Sequence, residues 1–546
     1  MTRSLEHPWL AQYVNVPPRL ELPGQTVIEA FDCCAAREPD RPAIWFHQEM
    51  ITRGELQHAS RRLARALTGL GIREGDRIAV MDQNTPALAL AMLGSWRAGA
   101  AVVPLNPMLM AAEVRKVLAD SQVTAVIAAA ALWQRLADDA WEGSPLRAIV
   151  LTGEQIDERP VLASGSRAVP PTMRMADLVG NGSSPDPASK ASLDGIAVLM
   201  YTSGTTGGPK GAVIRHRHLA FTTEVYRRWM RIDDIDVILG AAPLSHITGL
   251  VAGLTLSLAS GAPLILSGRF DARATLRLAA RHRTTFTVAA ITAYRALMAD
   301  DTVTSADLSS LTKAYSGGAP VPAATVERFE RLTGVYIHPI YGLTETTSPS
   351  HATPLGVRAP IHPSLGTLAA GVPVPSTYSA ILDPDSGDEI PAGQAGEVVI
   401  AGPGVVEEYW KRPQITAATI PGGLLHTGDV GLMDADGWFY IIDRIKDIIN
   451  TSGYKVWPRE VEDVLLQHPG VAEAAVVGAP DPYRGETVVA YVVPRSGHGP
   501  SAEELIGYSR ARLAAFKYPR RIEFCDQLPT TASGKILRRA LRENQL

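Results

Sequence analysis

The segment from Tyr201 to Gly211 combines the residue types that hold a chain of phosphates. It contains four Ser/Thr hydroxyl side chains, four glycines and one lysine, and it directly follows the apolar run Ile196–Met200. Glycine lets backbone N–H groups turn toward an anion, hydroxyls add donors, and lysine adds positive charge. A Walker A loop requires glycine directly before its lysine, whereas Pro209 precedes Lys210 here. The segment therefore predicts a different phosphate loop, with a solvated glycine-rich turn as the alternative. The candidate phosphate-binding residues are Thr202, Ser203, Gly204, Thr205, Thr206, Gly207 and Lys210.

Five further motifs follow this loop along the chain. They are Tyr341-Gly-Leu-Thr-Glu-Thr346, His426-Thr-Gly-Asp429, Asp443-Arg-Ile-Lys-Asp447, Ser452-Gly-Tyr-Lys455 and Thr531-Ala-Ser-Gly-Lys535. Together with the loop, and in the same order, they resemble the signature of the adenylate-forming superfamily. That superfamily includes acyl-CoA synthetases, peptide-synthetase adenylation domains and beetle luciferases. The resemblance covers nearly the whole chain, and it implies that ATP activates a carboxylic acid as an acyl-adenylate.

The resemblance assigns two segments to the nucleotide and its metal ion. Tyr341 is expected to stack on adenine, Thr344 to donate to the α-phosphate, and Glu345 to hold Mg²⁺. A hard cation suits one carboxylate plus phosphate oxygens, although a solvated loop charge is the alternative for Glu345. Ser316-Gly-Gly-Ala-Pro320 resembles the adenine-side wall, where small residues let the ligand lie against backbone; a plain turn is the alternative. The ATP-binding candidates here are Gly318, Ala319, Pro320, Tyr341, Gly342 and Thr344.

Three charged residues complete the nucleotide site that the resemblance implies. Asp429 is expected to accept hydrogen bonds from both ribose hydroxyls, and Arg444 to lie near ribose and phosphate. A plain Asp429–Arg444 salt bridge is the alternative. Lys535 is expected to join the carboxylate and the α-phosphate as a point charge. Arg538 and Arg539 follow on a short terminal helix, and we expect both to be solvated.

The resemblance also implies a pocket for the acyl group. His246 resembles the aromatic gate at its mouth, and a core histidine bonded to backbone is the alternative. Gly249 and Gly253 lie four residues apart on one helical face, which either leaves room for a substrate or allows close helix packing. Ile291 departs from the Pro-Thr that relatives commonly carry, so the resemblance does not assign this part of the pocket wall. The acyl-pocket candidates are His246, Gly249, Ser316, Gly317 and Leu343.

A second half-reaction with a thiol requires the same site to be rebuilt. The resemblance implies that a small domain turns about Lys446, and that the Ser452–Lys455 loop then replaces Lys535. The CoA-binding candidates are Gly453, Tyr454 and Lys455. Three basic residues, Arg484, Lys517 and Arg520, are candidates for the phosphates of CoA, with lone surface cations as the default interpretation.

The alternation of apolar runs and amphipathic segments predicts an α/β protein with largely parallel sheets. With the resemblance, it indicates a large N-terminal domain (1–442) of two α/β subdomains plus a small β subdomain. A hinge (443–447) and a small mobile α+β C-terminal domain (448–546) follow. We expect a strand at Val237–Ala241, a surface connection at Ala163–Asp194 and a helix at Ala502–Ala515.

Composition excludes several classes of function. The chain has 546 residues and a formal net charge of −4, so no global basic field attracts nucleic acid or an anionic membrane. Three cysteines, two of them adjacent, indicate neither a disulfide framework nor a metal site. The longest apolar region, Gly249–Leu266, contains Thr, Ser and Pro, and it is interpreted as a buried helix and strand. We expect a cytoplasmic protein without stable membrane insertion, and a homodimer is left open.

The sequence thus predicts an ATP- and Mg²⁺-dependent carboxylic acid–CoA ligase that uses CoA as co-substrate and favours hydrophobic acids. A stand-alone ligase that loads a carrier protein is one alternative. A non-catalytic nucleotide-binding relative is another, although Lys535, Glu345 and Asp429 are all present. The identity of the acid, whether aliphatic, alicyclic or aryl, is left open.

Overall fold

The computed structural model describes most of the chain with side chains. The described residues are 7–134, 145–153, 170–180, 189–202, 209–299, 308–444, 447–451, 454–495, 499–530 and 536–543. Several predicted site residues lie outside them, namely Ser203, Gly204, Thr205, Thr206, Gly207, Lys446, Gly453 and Lys535. Lys455 is described only through its backbone.

The described strands are numbered in chain order. They are β1 (Pro42–Phe46), β2 (Glu49–Thr52), β3 (Arg77–Met81), β4 (Ala101–Pro104), β5 (Ala125–Ala129), β6 (Ala148–Thr152), β7 (Thr172–Arg174), β8 (Ile196–Thr202), β9 (Lys210–Arg215), β10 (Ile238–Leu239), β11 (Leu264–Leu266), β12 (Phe286–Ala289), β13 (Lys313–Ser316), β14 (Ile337–Leu343), β15 (Ser348–Ala352), β16 (Val372–Pro373), β17 (Tyr378–Leu382), β18 (Gly396–Ala401), β19 (Leu425–Met433), β20 (Phe439–Arg444), β21 (Ile449–Thr451), β22 (Tyr454–Val456), β23 (Val471–Asp481), β24 (Gly485–Pro494) and β25 (Arg521–Phe524).

The helices are numbered in the same way. They are α1 (Val27–Arg37), α2 (Arg53–Gly69), α3 (Pro86–Arg97), α4 (Ala111–Ser121), α5 (Ala130–Trp133), α6 (Met175–Gly180), α7 (His216–Trp229), α8 (Ile247–Gly249), α9 (Leu256–Ser260), α10 (Ala272–His282), α11 (Ile291–Met298), α12 (Ala323–Thr333), α13 (Pro413–Thr419), α14 (Pro458–Leu466), α15 (Ala502–Arg510) and α16 (Arg538–Glu543). A π-helical turn, Leu250–Thr255, joins α8 to α9. Local sequence sets several starts: Thr26 and Thr52 form capping boxes with Glu29 and Glu55 at α1 and α2.

The described strands form four sheets. A seven-stranded sheet has the order β7-β6-β5-β3-β4-β8-β9, and a nine-stranded sheet has the order β16-β15-β14-β13-β12-β10-β11-β1-β2. Pairing is parallel through most of both sheets and antiparallel for β8–β9, β14–β15, β15–β16 and β1–β2. A four-stranded antiparallel sheet, β17 to β20, and a five-stranded sheet of β21 to β25 complete the molecule. The mixed α/β fold with several subdomains that the sequence predicts is confirmed.

Three boundary predictions need correction. The predicted connection Ala163–Asp194 contains β7 and α6 in its described part, because Thr172–Arg174 extends the seven-stranded sheet beside β6. The predicted strand Val237–Ala241 is limited to β10, and α15 ends at Arg510 rather than Ala515. By contrast, Gly249–Leu266 is a buried helical stretch followed by β11, as expected. None of the helices in the described ranges has the length and hydropathy to cross a membrane.

Candidate active site

The end of β14 forms the centre of the candidate site. Tyr341, Gly342 and Leu343 close the strand, and a 3-10 turn, Thr344–Thr346, follows directly. The Leu343 backbone N–H donates to Thr346 Oγ1 at 2.8 Å, which fixes the turn. A Cβ at Gly342 would overlap the Ser348 carbonyl, so this position has room only for glycine. The motif therefore places Thr344 and Glu345 just beyond the carboxyl end of a central strand.

A buried chain of polar contacts joins three of the predicted nucleotide residues. Tyr341 Oη donates to Asp429 Oδ2 at 2.7 Å, and Arg444 Nε lies 2.8 Å from Asp429 Oδ1. Antiparallel pairing of β19 with β20 sets Asp429 directly opposite Arg444. Burial and the Asp429 charge hold the pKa of Tyr341 well above its usual range, and Asp429 raises the pKa of Arg444. The predicted alternative, an Asp429–Arg444 ion pair, is therefore present.

That ion pair does not use all the hydrogen-bond acceptor sites of the Asp429 carboxylate. A carboxylate offers about four lone-pair sites, and the chain above uses one on each oxygen. The Arg444 side chain is 39% exposed and that of Asp429 is 6% exposed, so solvent reaches the pair mainly through Arg444. Asp429 is fixed by Tyr341 and Arg444 and keeps acceptor sites that this chain of contacts does not use.

Glu345 has a partner that the sequence motifs did not identify. Tyr409 Oη donates to Glu345 Oε1 at 2.7 Å, and the Val406 N–H donates to the Glu345 carbonyl oxygen at 2.9 Å. Lys210 Nζ, at the exit of the phosphate loop, lies 5.5 Å from the centroid of the Tyr409 ring. Tyr409 sits between Val406 and Lys411 in a stretch that matches none of the motifs quoted above. Only the tertiary structure brings it to Glu345 and Lys210.

The predicted acyl-pocket residues divide into two groups. A cleft of about 420 Å³ opens beside the end of β14, and His246, Gly317 and Leu343 line it together with Ile247 and Ile340. His246 caps α8, since its Nδ1 accepts a hydrogen bond from the Thr248 N–H at 3.3 Å. Gly318, Tyr341, Gly342 and Thr344 line the same cleft, which brings nucleotide and acyl candidates together.

The second group lies behind the cleft wall. A Cβ at Gly249 would overlap the Pro243 carbonyl, so this glycine has a packing reason to be small. Ser316 is fully buried, and among the described residues its Oγ has no hydrogen-bond partner. Ala319 and Pro320 continue the turn after β13, and Pro320 is exposed. The pocket roles of Gly249 and Ser316 remain predictions.

Asn84 is a further residue that sequence reasoning missed. Its Nδ2 donates to the carbonyl oxygens of Gly240 and Ala242 at 3.1 and 2.9 Å, and its Oδ1 accepts from the Leu244 N–H at 2.8 Å. Asn84 follows β3 of the seven-stranded sheet, whereas the bonded loop belongs to the nine-stranded sheet. This side chain therefore fixes the loop that leads to His246. No local sequence signal distinguishes it from a turn asparagine.

The C-terminal part presents one described CoA candidate and one correction. Tyr454 is 58% exposed, and its ring stacks on Phe516 with centroids 4.6 Å apart. The default interpretation of Lys517 as a lone surface cation is wrong, because its Nζ donates to both oxygens of Glu460 at 2.7 and 2.8 Å. Arg520 stacks on the Tyr518 ring at 3.8 Å.

The prediction that Arg538 is solvated is also wrong. Its guanidinium donates to Glu462 Oε1 and Oε2, both at 2.9 Å, and lies 3.5 Å from carboxylate oxygens of Asp443 and Asp447. The terminal helix α16 forms as expected, but it packs Arg538 inward onto α14 and the hinge segment. Arg539, the next residue, is exposed.

Comparison with known proteins identifies the family. The family description "AMP-binding enzyme" matches residues 31–410, and "AMP-binding enzyme C-terminal domain" matches residues 460–535. A long-chain-fatty-acid–CoA ligase of Bacillus subtilis (strain 168) is 36% identical, over 99% of this chain and 98% of its own.

Two solved structures share the fold over almost the whole length. A benzoate–CoA ligase from Burkholderia xenovorans LB400 is 31% identical with a TM-score of 0.83, covering 95% of this chain and 100% of its own. An anthranilate–CoA ligase in complex with anthranoyl-AMP is 26% identical with a TM-score of 0.86, covering 96% and 98%. The end of β14, the Tyr341–Asp429–Arg444 chain and the full-length match lead to one conclusion: the chain belongs to the AMP-binding enzyme family of acid–CoA ligases.

Proposed function

We propose that this acid–CoA ligase adenylates a hydrophobic carboxylic acid with ATP and Mg²⁺ and then passes the acyl group to the thiol of CoA. The observation that carries the proposal is a convergence at the end of β14. The motif Tyr341–Thr346 contains Glu345, its Tyr341 hydrogen-bonds Asp429, and several of its residues line the same cleft as His246. A nucleotide, its cation and an acid are thereby served by adjacent residues.

In the first half-reaction, a carboxylate oxygen of the acid forms a bond to the α-phosphorus and pyrophosphate leaves. Little covalent chemistry falls to the protein, so positioning and charge neutralisation provide the catalysis. Asp429 accepts hydrogen bonds from the ribose hydroxyls, and Tyr341 stacks on adenine. Thr344 donates a hydrogen bond to the α-phosphate. Lys210 and Lys535 supply positive charge to the phosphates and to the attacking carboxylate.

Glu345 suits a cation that arrives with ATP. Mg²⁺ is commonly held by one or two carboxylates plus substrate phosphates. Within the described ranges no group of three or more His, Cys, Asp or Glu is arranged to hold a metal ion. Glu345 is a single carboxylate with one oxygen bonded to Tyr409, which fits a cation held by one carboxylate and the phosphates of ATP. When bound, the cation neutralises phosphate charge, while Glu345 sets its place beside Thr344.

The second half-reaction requires a path for a thiol. The exposed Tyr454, stacked on Phe516, offers an apolar surface next to the position of Gly453 and Lys455 in the chain. We assign Gly453, Tyr454 and Lys455 to pantetheine and Lys446 to the hinge that brings them to the cleft. The thiol attacks the acyl carbon of the adenylate, and AMP leaves as the thioester forms.

The acid is a hydrophobic one. Ile247, Ile340 and Leu343 form an apolar part of the cleft wall, and no described basic side chain lines the cleft apart from His246. The relatives named above act, by their names, on a fatty acid, benzoate and anthranilate. All three are carboxylic acids with an apolar body, which is the class we propose here.

The cell compartment follows from the chemistry of the chain. Cys33, Cys34 and Cys525 are free thiols. Free thiols persist where the environment is reducing, and ATP and CoA are cytoplasmic substrates in this proposal. We therefore place the enzyme in the cytoplasm, with no nucleic acid among its partners.

A panel of acids tests the reaction and the acid class together. Aliphatic acids of increasing length, benzoate-type acids and hydrophilic dicarboxylic acids are compared by pyrophosphate release with ATP and Mg²⁺. Each is then assayed for thioester formation with free CoA and with a phosphopantetheinyl carrier protein. We expect release with hydrophobic acids and thioester with free CoA. Pyrophosphate release confined to dicarboxylic acids, or thioester only on the carrier, contradicts the proposal.

The variant Lys446→Pro tests the hinge separately. Proline fixes φ and removes a backbone donor, so a linker that must rotate is impaired. We expect one turnover of pyrophosphate release at the wild-type rate and little acyl-CoA. Thioester formation at the wild-type rate contradicts the assignment of Lys446 as the pivot, and with it the role of the Ser452–Lys455 loop.

A further inference from the structure

A short segment, Val406–Arg412, connects the phosphate-loop hairpin to Glu345. On one side it pairs with β9: the Val213 N–H donates to the Glu408 carbonyl at 3.1 Å, and the Trp410 N–H donates to the Gly211 carbonyl at 2.7 Å. We call this segment the strut. Because β9 begins at Lys210, these bonds hold the strut against the strand that leaves the phosphate loop.

At its other side the strut holds Glu345 twice. The Val406 N–H donates to the Glu345 carbonyl oxygen at 2.9 Å, and Tyr409 Oη donates to Glu345 Oε1 at 2.7 Å. The first bond fixes the backbone and the second fixes the carboxylate. Tyr409 is only 4% exposed, so its hydroxyl is confined where it is.

One aspartate ties the strut to the entrance of the phosphate loop as well. Asp120 accepts from Tyr201 Oη at 2.6 Å through its carboxylate and from Trp410 Nε1 at 3.2 Å through its carbonyl oxygen. Its carboxylate also pairs with Arg412. Tyr201 lies in β8, directly before the loop. Both strands that bracket the loop are therefore bonded to the strut or to its anchor.

Tyr409 is the only strut residue with side-chain contacts to both functional groups in the described residues. Its hydroxyl bonds Glu345, while its ring faces the Lys210 ammonium at 5.5 Å. A cation over an aromatic ring is attracted to its face. The relative positions of a metal-binding carboxylate and a phosphate-binding lysine thus depend on one buried side chain.

We propose that Tyr409 is a positioning residue for Mg²⁺ and ATP, which orients Glu345 through its hydroxyl and leaves Oε2 for the cation. The inference rests on the proposed role of Glu345. It assigns to Tyr409 no contact with the substrate, only control of the carboxylate. Groups that hydrogen-bond a metal ligand typically change metal affinity about 10- to 100-fold when they are removed.

The test compares Tyr409→Phe with a matched control, Tyr440→Phe. Tyr440 is also a buried tyrosine whose hydroxyl donates to a carboxylate, Asp434 Oδ2 at 3.0 Å, but that carboxylate is in the turn between β19 and β20. Binding of Mn²⁺ in the presence of ATP is measured by electron paramagnetic resonance, at a temperature where near-UV circular dichroism shows each variant folded. We expect Mn²⁺ to bind about 10-fold or more weakly in Tyr409→Phe and as in wild type in Tyr440→Phe.

A double-mutant cycle with Glu345→Gln distinguishes this inference from the function it rests on. If Tyr409 acts through Glu345, adding Tyr409→Phe to Glu345→Gln changes Mn²⁺ affinity less than about twofold. Wild-type Mn²⁺ affinity in Glu345→Gln overturns the metal role of Glu345 itself. Weakened binding in Glu345→Gln with wild-type binding in Tyr409→Phe overturns only the positioning role. Full additivity of the two losses also overturns it, because Tyr409 would then act by a separate route.

Discussion

Two neighbouring residues at the end of β20, Asp443 and Arg444, belong to two different clusters of charged side chains on opposite faces of the strand. Adjacent residues of a strand point to opposite faces. Arg444 joins Asp429 and Tyr341 beside the cleft. Asp443 turns to the C-terminal part, where its Oδ2 accepts from the Arg459 N–H at 2.9 Å and its Oδ1 lies 3.5 Å from Arg538 Nη1. One strand end thus contributes to the proposed nucleotide site on one face and contacts the C-terminal part of the chain on the other.

The two clusters differ in how completely their charges are satisfied. The cleft pair has one carboxylate and one arginine, and the Arg444 side chain is 39% exposed. On the hinge side, three carboxylates, Asp443, Asp447 and Glu462, surround Arg538, whose side chain is 18% exposed. The second cluster is less exposed at its arginine and has more protein partners, whereas the first keeps acceptor sites that could take a ligand. Arginine–aspartate pairing alone therefore does not indicate a binding site; remaining exposure and unused acceptors do.

The largest expected effect comes from substituting Lys535, the lysine that we propose adds a further positive charge to the site of the Asp429–Arg444 pair. Lys535→Ala removes the cation that we propose joins carboxylate and α-phosphate, so adenylation should fall by about 10³-fold, as for other positioned charges in a closed site. Thioester formation from a supplied acyl-adenylate should survive. The control is Arg539→Ala, which removes an exposed cation from the same terminal segment. Equal loss in both half-reactions contradicts the assignment of Lys535 to adenylation.

Arg538→Ala should instead reduce stability. Removing one partner of a buried ion cluster leaves its carboxylates uncompensated, and the cost is about 3–5 kcal/mol. We expect a drop of this size in the free energy of unfolding of the C-terminal part, read from urea melts, with Arg539→Ala close to wild type. ATP affinity measured below the transition should be unchanged. A folded Arg538→Ala with lost ATP affinity and unaltered stability indicates that the two clusters are not separate.

Asp429→Asn addresses the cleft pair. The amide keeps the shape and one oxygen but loses the charge that pairs with Arg444 and that, in the proposed function, accepts hydrogen bonds from the ribose hydroxyls. We expect kcat/KM for ATP to fall about 100-fold, or about 2.7 kcal/mol, with little change in unfolding. Asp434→Asn is the matched control, since Asp434 also accepts from a buried tyrosine in the same sheet. Equal effects of the two substitutions on kcat/KM contradict the nucleotide role.

The smallest expected effect is a pH dependence of stability from Asp443. Burial, with the Glu462 charge, outweighs Arg538 and raises the pKa of Asp443 to about 6. Because this folded-state pKa lies above the unfolded value of about 3.9, the native state binds the extra proton, and stability falls as pH rises. Between pH 5 and 7 wild type should lose about 1 kcal/mol relative to Asp443→Asn. Parallel stability profiles of the two proteins over that range contradict the prediction.

Local sequence was a good guide where one segment carries its own signal. The apolar region Gly249–Leu266 forms the buried helix and strand that its sequence predicts. The end of β14 is similarly local, because Gly342 and the Thr344–Thr346 turn fix its shape. The fold class and the family follow from such segments and their order along the chain.

Contacts between distant segments were not predicted. Arg538 and Arg539 are adjacent and identical in type, yet one is buried among carboxylates and the other is exposed. Likewise, Tyr409 and Asn84 occur in stretches without a motif, and their partners are 64 and about 160 residues away. A side chain's burial and its hydrogen-bond partners depend on what packs over it, which its neighbours in sequence do not encode.

The sequence by itself identified the family, and the family resemblance implied nucleotide binding and acid activation; the glycines, hydroxyls and charges of the loop independently suit phosphates. The tertiary structure alone decided which charges remain open to a ligand. It paired Asp443 with Arg538, left Asp429 with unused acceptor sites beside the partly exposed Arg444, and placed Tyr409 between Glu345 and Lys210. The physical reason is desolvation. An ion pair is structural when it is buried and protein groups use its hydrogen-bonding atoms, whereas a partly exposed pair with unused acceptors can bind a ligand.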